Sequence, residues 1–193
     1  MSTFPSEETA STVAKIAQIL RRRNETISVS EAACGGLLSA YLVSVPGASQ
    51  WFHGGTLVYS LKSKLKLSGW SEADIISYTG PSEKVALRLA RTLRIELGST
   101  YVISETGVAG PVEEGADKTV FANEDVGKVY LGISTPEGEK SKTFKTGSVD
   151  RSANMQEFAQ RGLEFFLEEL EKIDNKENGA ASCEESSTKK HKA

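Results

Sequence analysis

The stretch SVSEAACGGLLSAYL, residues 28–42, joins a strand-like run to a helix-like run through small residues. Residues 26–30 alternate in polarity and favour a strand, whereas residues 35–45 are apolar and favour a buried helix. Small residues at such a turn let backbone N–H groups approach an anion at the start of a helix. The stretch therefore predicts a strand–loop–helix unit, and a plain tight turn is the alternative interpretation.

The rest of the chain continues to alternate between helix and strand patterns. Further helices are predicted at residues 8–23, 82–98 and 151–173, further strands at 54–60 and 100–106, and a hairpin from 127–135 and 140–146. Shorter helical pieces are expected near residues 62–67 and 71–80. This order predicts an α/β fold, a single domain in which a mixed β-sheet lies between helices as a three-layer sandwich.

Two of these helices have explicit patterns. Ser82 is predicted to cap the helix over 82–98 and Gly98 to end it, and Val85, Leu89, Leu93 and Leu97 are spaced four residues apart. In the terminal helix Phe166 is expected in the core. Its neighbour Phe165 is then the candidate for an exposed position, where it could contribute to a homodimer interface.

Composition limits the function classes. The 193 residues carry a net charge of −3 with 38% hydrophobic residues, which is typical of a globular protein and gives no basic surface for nucleic acid. The basic run at residues 21–23 is expected to serve the end of a helix rather than a phosphate. A domain is predicted over 8–172, between a flexible start at 1–7 and a disordered polar tail at 173–193.

No segment suggests export or membrane insertion. The start lacks an apolar signal region, and no apolar run approaches the length of a membrane span. Cys34 and Cys183 are expected to be reduced thiols. The expected compartment is the cytoplasm, with the nucleus left open, and the expected partners include neither membrane nor nucleic acid. No metal or other cofactor is expected, because no ligand spacing is visible.

Three loops follow predicted strands and are the candidate ligand loops, at residues 30–36, 59–64 and 104–111. In the second, Tyr59 and Lys64 leave the strand end together, and a desolvated lysine can act as a base. In the third, Thr106 is followed by two glycines and a proline, which predicts a rigid loop with exposed amides. A solvated lysine and an ordinary turn are the respective alternatives.

Taken together, the motifs in these loops resemble the C-terminal domain of the CinA family, the nicotinamide-nucleotide amidohydrolase fold. The resemblance runs over residues 8–171. The matching residues are Glu31, Gly35 and Gly36; Pro46, Gly47 and Ser49; Gly55, Val58, Tyr59, Ser60 and Lys64; Thr106, Gly107, Ala109, Gly110 and Pro111; Val126, Gly127 and Val129; Asp150 and Arg151.

The resemblance implies hydrolysis of the carboxamide of nicotinamide mononucleotide, with a nicotinamide nucleotide or related small molecule as ligand. It implies catalytic roles for Tyr59, Lys64 and Thr106. It further implies that the ligand is bound by Glu31, Gly35, Gly36, Gly107, Gly110 and Arg151. An arginine suits the phosphate of a nucleotide.

The family's nucleophilic serine falls on Ala32 here, because Glu31 and the glycine pair fix the register on both sides. Alanine can offer neither a proton nor a lone pair. Cys34 is a weak alternative nucleophile, and Ser30 a weaker one. Three hypotheses stay open: an amidohydrolase that uses another nucleophile or a positioned water, an inactive nucleotide-binding pseudoenzyme, and a structural or regulatory protein.

Overall fold

The computed structural model describes residues 4–111 and 123–189, with side chains of the last helix described as far as residue 176. Within these ranges the chain forms five strands and six α-helices. The strands are β1 (Ile27–Glu31), β2 (Phe52–Leu57), β3 (Tyr101–Val108), β4 (Lys128–Thr135) and β5 (Gly138–Lys145). The helices are α1 (Glu7–Arg23), α2 (Leu37–Val43), α3 (Leu61–Leu67), α4 (Glu72–Ile76), α5 (Glu83–Leu97) and α6 (Arg151–Lys189).

The strands form one mixed sheet in the order β2-β1-β3-β4-β5. β1 pairs in parallel with β2 and β3, whereas β3–β4 and β4–β5 are antiparallel. All of β1 is buried because it has strands on both sides and helices on both faces. The carboxyl ends of β1, β2 and β3 consequently lie along one edge of the sheet, where ligands bind in folds of this kind.

Helices cover both faces of the sheet. α1, α2 and α6 pack together on one face, over a core that includes Ile27, Ile103 and Phe166. α5 packs on the other face, where Ala90 and Leu93 meet Val102. The predicted three-layer α/β sandwich is confirmed.

The predicted limits of α5 are confirmed. The Ser82 hydroxyl accepts a hydrogen bond from the Val85 N–H at 3.3 Å, and Gly98 ends the helix at φ +63°. The buried side chains are Ala86, Leu89, Ala90 and Leu93, while Leu97 is 41% exposed. A row of residues four apart drifts about 40° per step around a helix, so its ends leave the buried stripe.

The prediction that Phe165 is exposed was wrong. Phe165 is 4% exposed and Phe166 is 1% exposed, and both belong to the same core. α6 packs against α1, α2, β3 and β4, so an unusually wide part of its surface is covered. The Lys142 ammonium also lies 5.5 Å from the centre of the Phe165 ring.

The cluster at residues 21–23 serves the fold. Arg21 donates a hydrogen bond to the Pro46 carbonyl, Arg22 pairs with Asp174 at 2.5 Å, and Arg23 pairs with Glu25 at 2.7 Å. α6 continues to Lys189, past its predicted end at residue 173. Residues 112–122 lie outside the described residues, as do residues 1–3 of the predicted flexible start and the side chains of most of the predicted tail.

Candidate ligand site at the carboxyl ends of β1 and β3

Glu31 ends β1 and holds the first turn of α2. One carboxylate oxygen accepts hydrogen bonds from the backbone N–H groups of Gly36 and Leu38, both at 3.0 Å. The other accepts from the Ser39 backbone N–H at 2.9 Å and from its hydroxyl at 2.7 Å. Glu31 is buried and satisfied by donors of its own chain, so its evident role is to build the loop.

Glu105 is the residue of this region that the sequence reasoning missed. It is fully buried on β3, and its Oε1 accepts hydrogen bonds from the N–H groups of Ala32 at 2.6 Å and Cys34 at 2.7 Å. Its Oε2 is buried too and has no hydrogen-bond partner among the described residues. Burial raises the pKa of Glu105 to about 7, against the opposing effect of the amide donors from Cys34 and Ala32.

A signal for Glu105 was present in the sequence. The run TYVISET, residues 100–106, is predicted as a buried strand, and glutamate is almost never fully buried unless it is paired. A carboxylate inside an apolar strand therefore marks a position where some donor must approach. The motif match drew attention to Thr106 instead, one residue further on.

Ala32 and Cys34 lie in the turn that Glu105 holds. Ala32 is nearly buried, and it brings its backbone N–H rather than a nucleophile to the site. Burial raises the pKa of the Cys34 thiol well above its usual value, and the nearby Glu105 and Glu31 raise it further. Such a thiol stays protonated near neutral pH, which argues against Cys34 as a nucleophile. The Ser30 hydroxyl lies 3.0 Å from that of Thr56 on β2.

Lys64 is brought to this edge of the sheet by α3. Its side chain is buried, and its ammonium donates hydrogen bonds to the carbonyls of Val58 at 2.7 Å and Tyr59 at 3.4 Å. Burial lowers the pKa of Lys64, while the negative charge of Glu105 opposes that shift. The alternative interpretation of Lys64 as a solvated lysine is therefore excluded.

Tyr59 and Thr106 do not share the environment of Glu105. The Tyr59 side chain is 63% exposed, and its backbone carbonyl accepts a hydrogen bond from Lys64. Thr106 is buried on the opposite side of β3 from Glu105, since successive side chains of a strand alternate. There it interacts with the hydroxyl of Tyr78, whose pKa burial raises to about 12.

The glycines of the third loop permit close packing. A Cβ on Gly107 would lie 2.5 Å from the Lys128 carbonyl oxygen on β4. A Cβ on Gly110 would lie 2.9 Å from the Cβ of Arg151, so the start of α6 rests on this loop. Arg151 itself is exposed, which leaves its guanidinium accessible from solvent.

No group of at least three His, Cys, Asp or Glu side chains among the described residues could hold a metal ion. None of the described helices combines the length and apolar character that crossing a bilayer requires.

The CinA C-terminal domain model matches residues 9–170, nearly the whole described chain. This chain belongs to the CinA C-terminal domain family. Curated relatives agree: CinA-like proteins of Synechocystis sp. and Chlorobium limicola are 37% and 32% identical over 136 and 152 residues, covering 70% and 77% of this chain. The matched regions make up only 30% and 34% of those two relatives, so this chain corresponds to about a third of their length.

Solved CinA-family structures share the fold. The competence/damage inducible protein CihA of Agrobacterium tumefaciens superposes with a TM-score of 0.76 at 22% identity, over 86% of this chain and 98% of that one. A competence or damage-inducible protein of Enterobacter asburiae gives 0.74 at 22% identity, over 84% and 98%. At this identity the likeness supports the architecture alone.

Proposed function

We propose that this CinA-family protein binds a nicotinamide nucleotide or a closely related carboxamide at the carboxyl ends of β1 and β3, beside residues 32–36, without hydrolysing it through a serine. The observation that carries the proposal is Ala32. It occupies the turn between β1 and α2 with its N–H bound to Glu105, and it has no hydroxyl to attack a carbonyl carbon. We therefore propose a binding role, with the protein acting as a sensor or regulator.

Several residues support a retained pocket. Lys64 is buried at this edge, and its ammonium donates to the carbonyls of Val58 and Tyr59, so a charged donor is held beside the loop that residues 59–64 form. Arg151 is exposed at the start of α6, beside Gly110, and is the proposed partner of the ligand phosphate. Tyr59 is proposed to fold over the ligand, and Thr106 to support the pocket through Tyr78.

A second candidate function is hydrolysis by a positioned water with Glu105 as its base. The observation in favour is the unpartnered Oε2 of Glu105, together with a pKa of about 7 that suits a general base near neutral pH. In this case the native chain would itself release ammonia, and Glu105→Gln would abolish that release.

The test combines ammonia release from nicotinamide mononucleotide with calorimetric binding of the same compound. It compares the native chain, Ala32→Ser, and Ala33→Ser as a matched control that adds the same hydroxyl one residue away. We expect the native chain and Ala33→Ser to bind without turnover and Ala32→Ser to bind, with or without slow turnover. Ammonia release by the native chain would refute the proposal, and so would an absence of binding.

A further inference from the structure

The carboxyl group of Glu105 has two oxygens in very different surroundings. Oε1 accepts the N–H groups of Ala32 and Cys34 at 2.6 and 2.7 Å. Oε2 is buried and has no donor in the described part of the chain. Buried carboxylate oxygens are normally paired, because an unpaired one loses its hydration without compensation. Oε2 is therefore a buried hydrogen-bond acceptor without a donor among the described residues.

The position of Glu105 places that acceptor at the ligand edge of the sheet. Ser104 pairs with Ser30 across the parallel β1–β3 ladder, so Glu105 lies level with the end of β1, where the chain turns into residues 32–36. Oε1 is fixed to that turn by two amides, which leaves the carboxyl group little freedom to reorient. This edge is where ligands bind in comparable folds.

The neighbouring charged groups do not satisfy Oε2. Glu31 is also an acceptor, and its oxygens are taken up by Gly36, Leu38 and Ser39. The Lys64 ammonium donates to the carbonyls of Val58 and Tyr59, although it is near enough for its charge to interact with that of Glu105. The buried titratable groups at this edge thus comprise two carboxyls, the Cys34 thiol beside Glu105 and one lysine, a balance that favours an N–H donor or a cation.

We infer that Glu105 determines the specificity of the site, accepting a hydrogen bond from the NH2 of a ligand carboxamide and rejecting the corresponding carboxylate. This inference rests on the proposed function. A carboxamide NH2 supplies the donor that Oε2 lacks, whereas a carboxylate would bring an acceptor and a like charge against it. The cationic pyridinium ring of a nicotinamide nucleotide adds attraction to a buried carboxylate. The site would then distinguish the amide nucleotide from its deamidated acid.

The experiment measures calorimetric affinities for nicotinamide mononucleotide and nicotinic acid mononucleotide at pH 8. Burial raises the pKa of Glu105 to about 7, so the carboxylate form prevails at this pH. We expect the native chain to prefer the amide by at least about tenfold. Glu105→Gln should reduce the preference to less than about threefold, because a glutamine side chain can donate to a carboxylate as well as accept. Exposed Glu96 provides the matched control, and Glu96→Gln should keep the preference.

A second measurement needs no variant. The N,N-dimethyl amide of nicotinamide mononucleotide has no N–H donor, so the native chain should bind it at least about tenfold more weakly than the parent amide. Equal affinity for amide and acid, or a preference that survives in Glu105→Gln, would overturn the inference and leave the proposed function standing. If neither nucleotide binds the native chain, the proposed function and the inference both fail.

Discussion

At the scale of single residues, Glu105 is a buried carboxyl group whose pKa is raised by its burial. Its carboxyl group is fully buried between the turn after β1 and the charge of Lys64, and its pKa is raised to about 7. Because the unfolded chain releases the same proton near pH 4.5, the folded chain holds the extra proton between these two values. The contribution of Glu105 to the free energy of unfolding is therefore fully present below about pH 4.5, and it is lost as the pH rises through about 7.

Glu105→Gln removes this titration and should therefore gain stability relative to the native chain as the pH rises from 5 to 8. The difference in free energy of unfolding between the two chains should change by at most about 1.4 kcal/mol per pH unit, which is the value for one proton. Urea unfolding of both chains at several pH values measures it, and taking the difference cancels the titrations that the two chains share. A difference that does not change with pH would contradict the raised pKa.

The Cys34 thiol should react only slowly with thiol reagents in the folded protein. Its thiol is buried, and its pKa is raised by that burial and by Glu105 and Glu31, so little thiolate forms. In a Cys183→Ser background, a disulfide reagent should modify Cys34 at least about tenfold more slowly in the native state than in urea. Rapid modification of the native chain would restore Cys34 as a candidate nucleophile.

At the scale of elements, α2 depends on Glu31. The helix has no side-chain cap at its N-terminal residue Gly36, and the Glu31 carboxylate supplies acceptors to three backbone N–H groups and one hydroxyl instead. We expect Glu31→Ala to lower the free energy of unfolding by about 3 kcal/mol, because several buried donors lose their acceptor. The control Glu96→Ala should change it by less than about 0.5 kcal/mol. Equal effects of the two variants in urea unfolding would refute this role.

The pairing of β3 with β4 requires a glycine. Gly107 lies opposite Val129, and a Cβ at Gly107 would come within 2.5 Å of the Lys128 carbonyl oxygen. Gly107→Ala should therefore lower the free energy of unfolding by about 1–3 kcal/mol, the usual cost of overpacking. Thermal unfolding followed by circular dichroism measures the change. An unchanged midpoint would mean that the strands can separate slightly at no cost.

At the scale of the whole molecule, α6 ties the helical layer together. It packs against α1 and α2, it buries Leu170, and its Asp174 pairs with Arg22 of α1. We expect a chain that ends after Lys176 to keep the stability of the full chain within about 1 kcal/mol. A chain that ends after Glu169 should lose about 2–5 kcal/mol, because a core leucine is removed with the ion pair. Similar losses of stability in the two truncated chains would contradict this prediction, because they would mean that residues beyond 176 are also needed for stability.

The sequence by itself determined the architecture. Periodicity and turn residues predicted each main strand and helix, including the start of α5 at Ser82 and its end at Gly98, because these signals act between near neighbours. The match of short motifs around the three loops pointed to the family. Ala32 could be placed in the position of the family serine because Glu31 and the glycine pair leave no freedom in the register.

Only the tertiary structure decided the environment of the site. It exposed Tyr59, buried Lys64, and brought Glu105 to the amides of Ala32 and Cys34. These outcomes depend on strands far apart in the chain that pair side by side. The pKa values of Glu105, Lys64 and Cys34 follow from the burial this packing creates. Desolvation is a property of the assembled core, so no local pattern of residues encodes it.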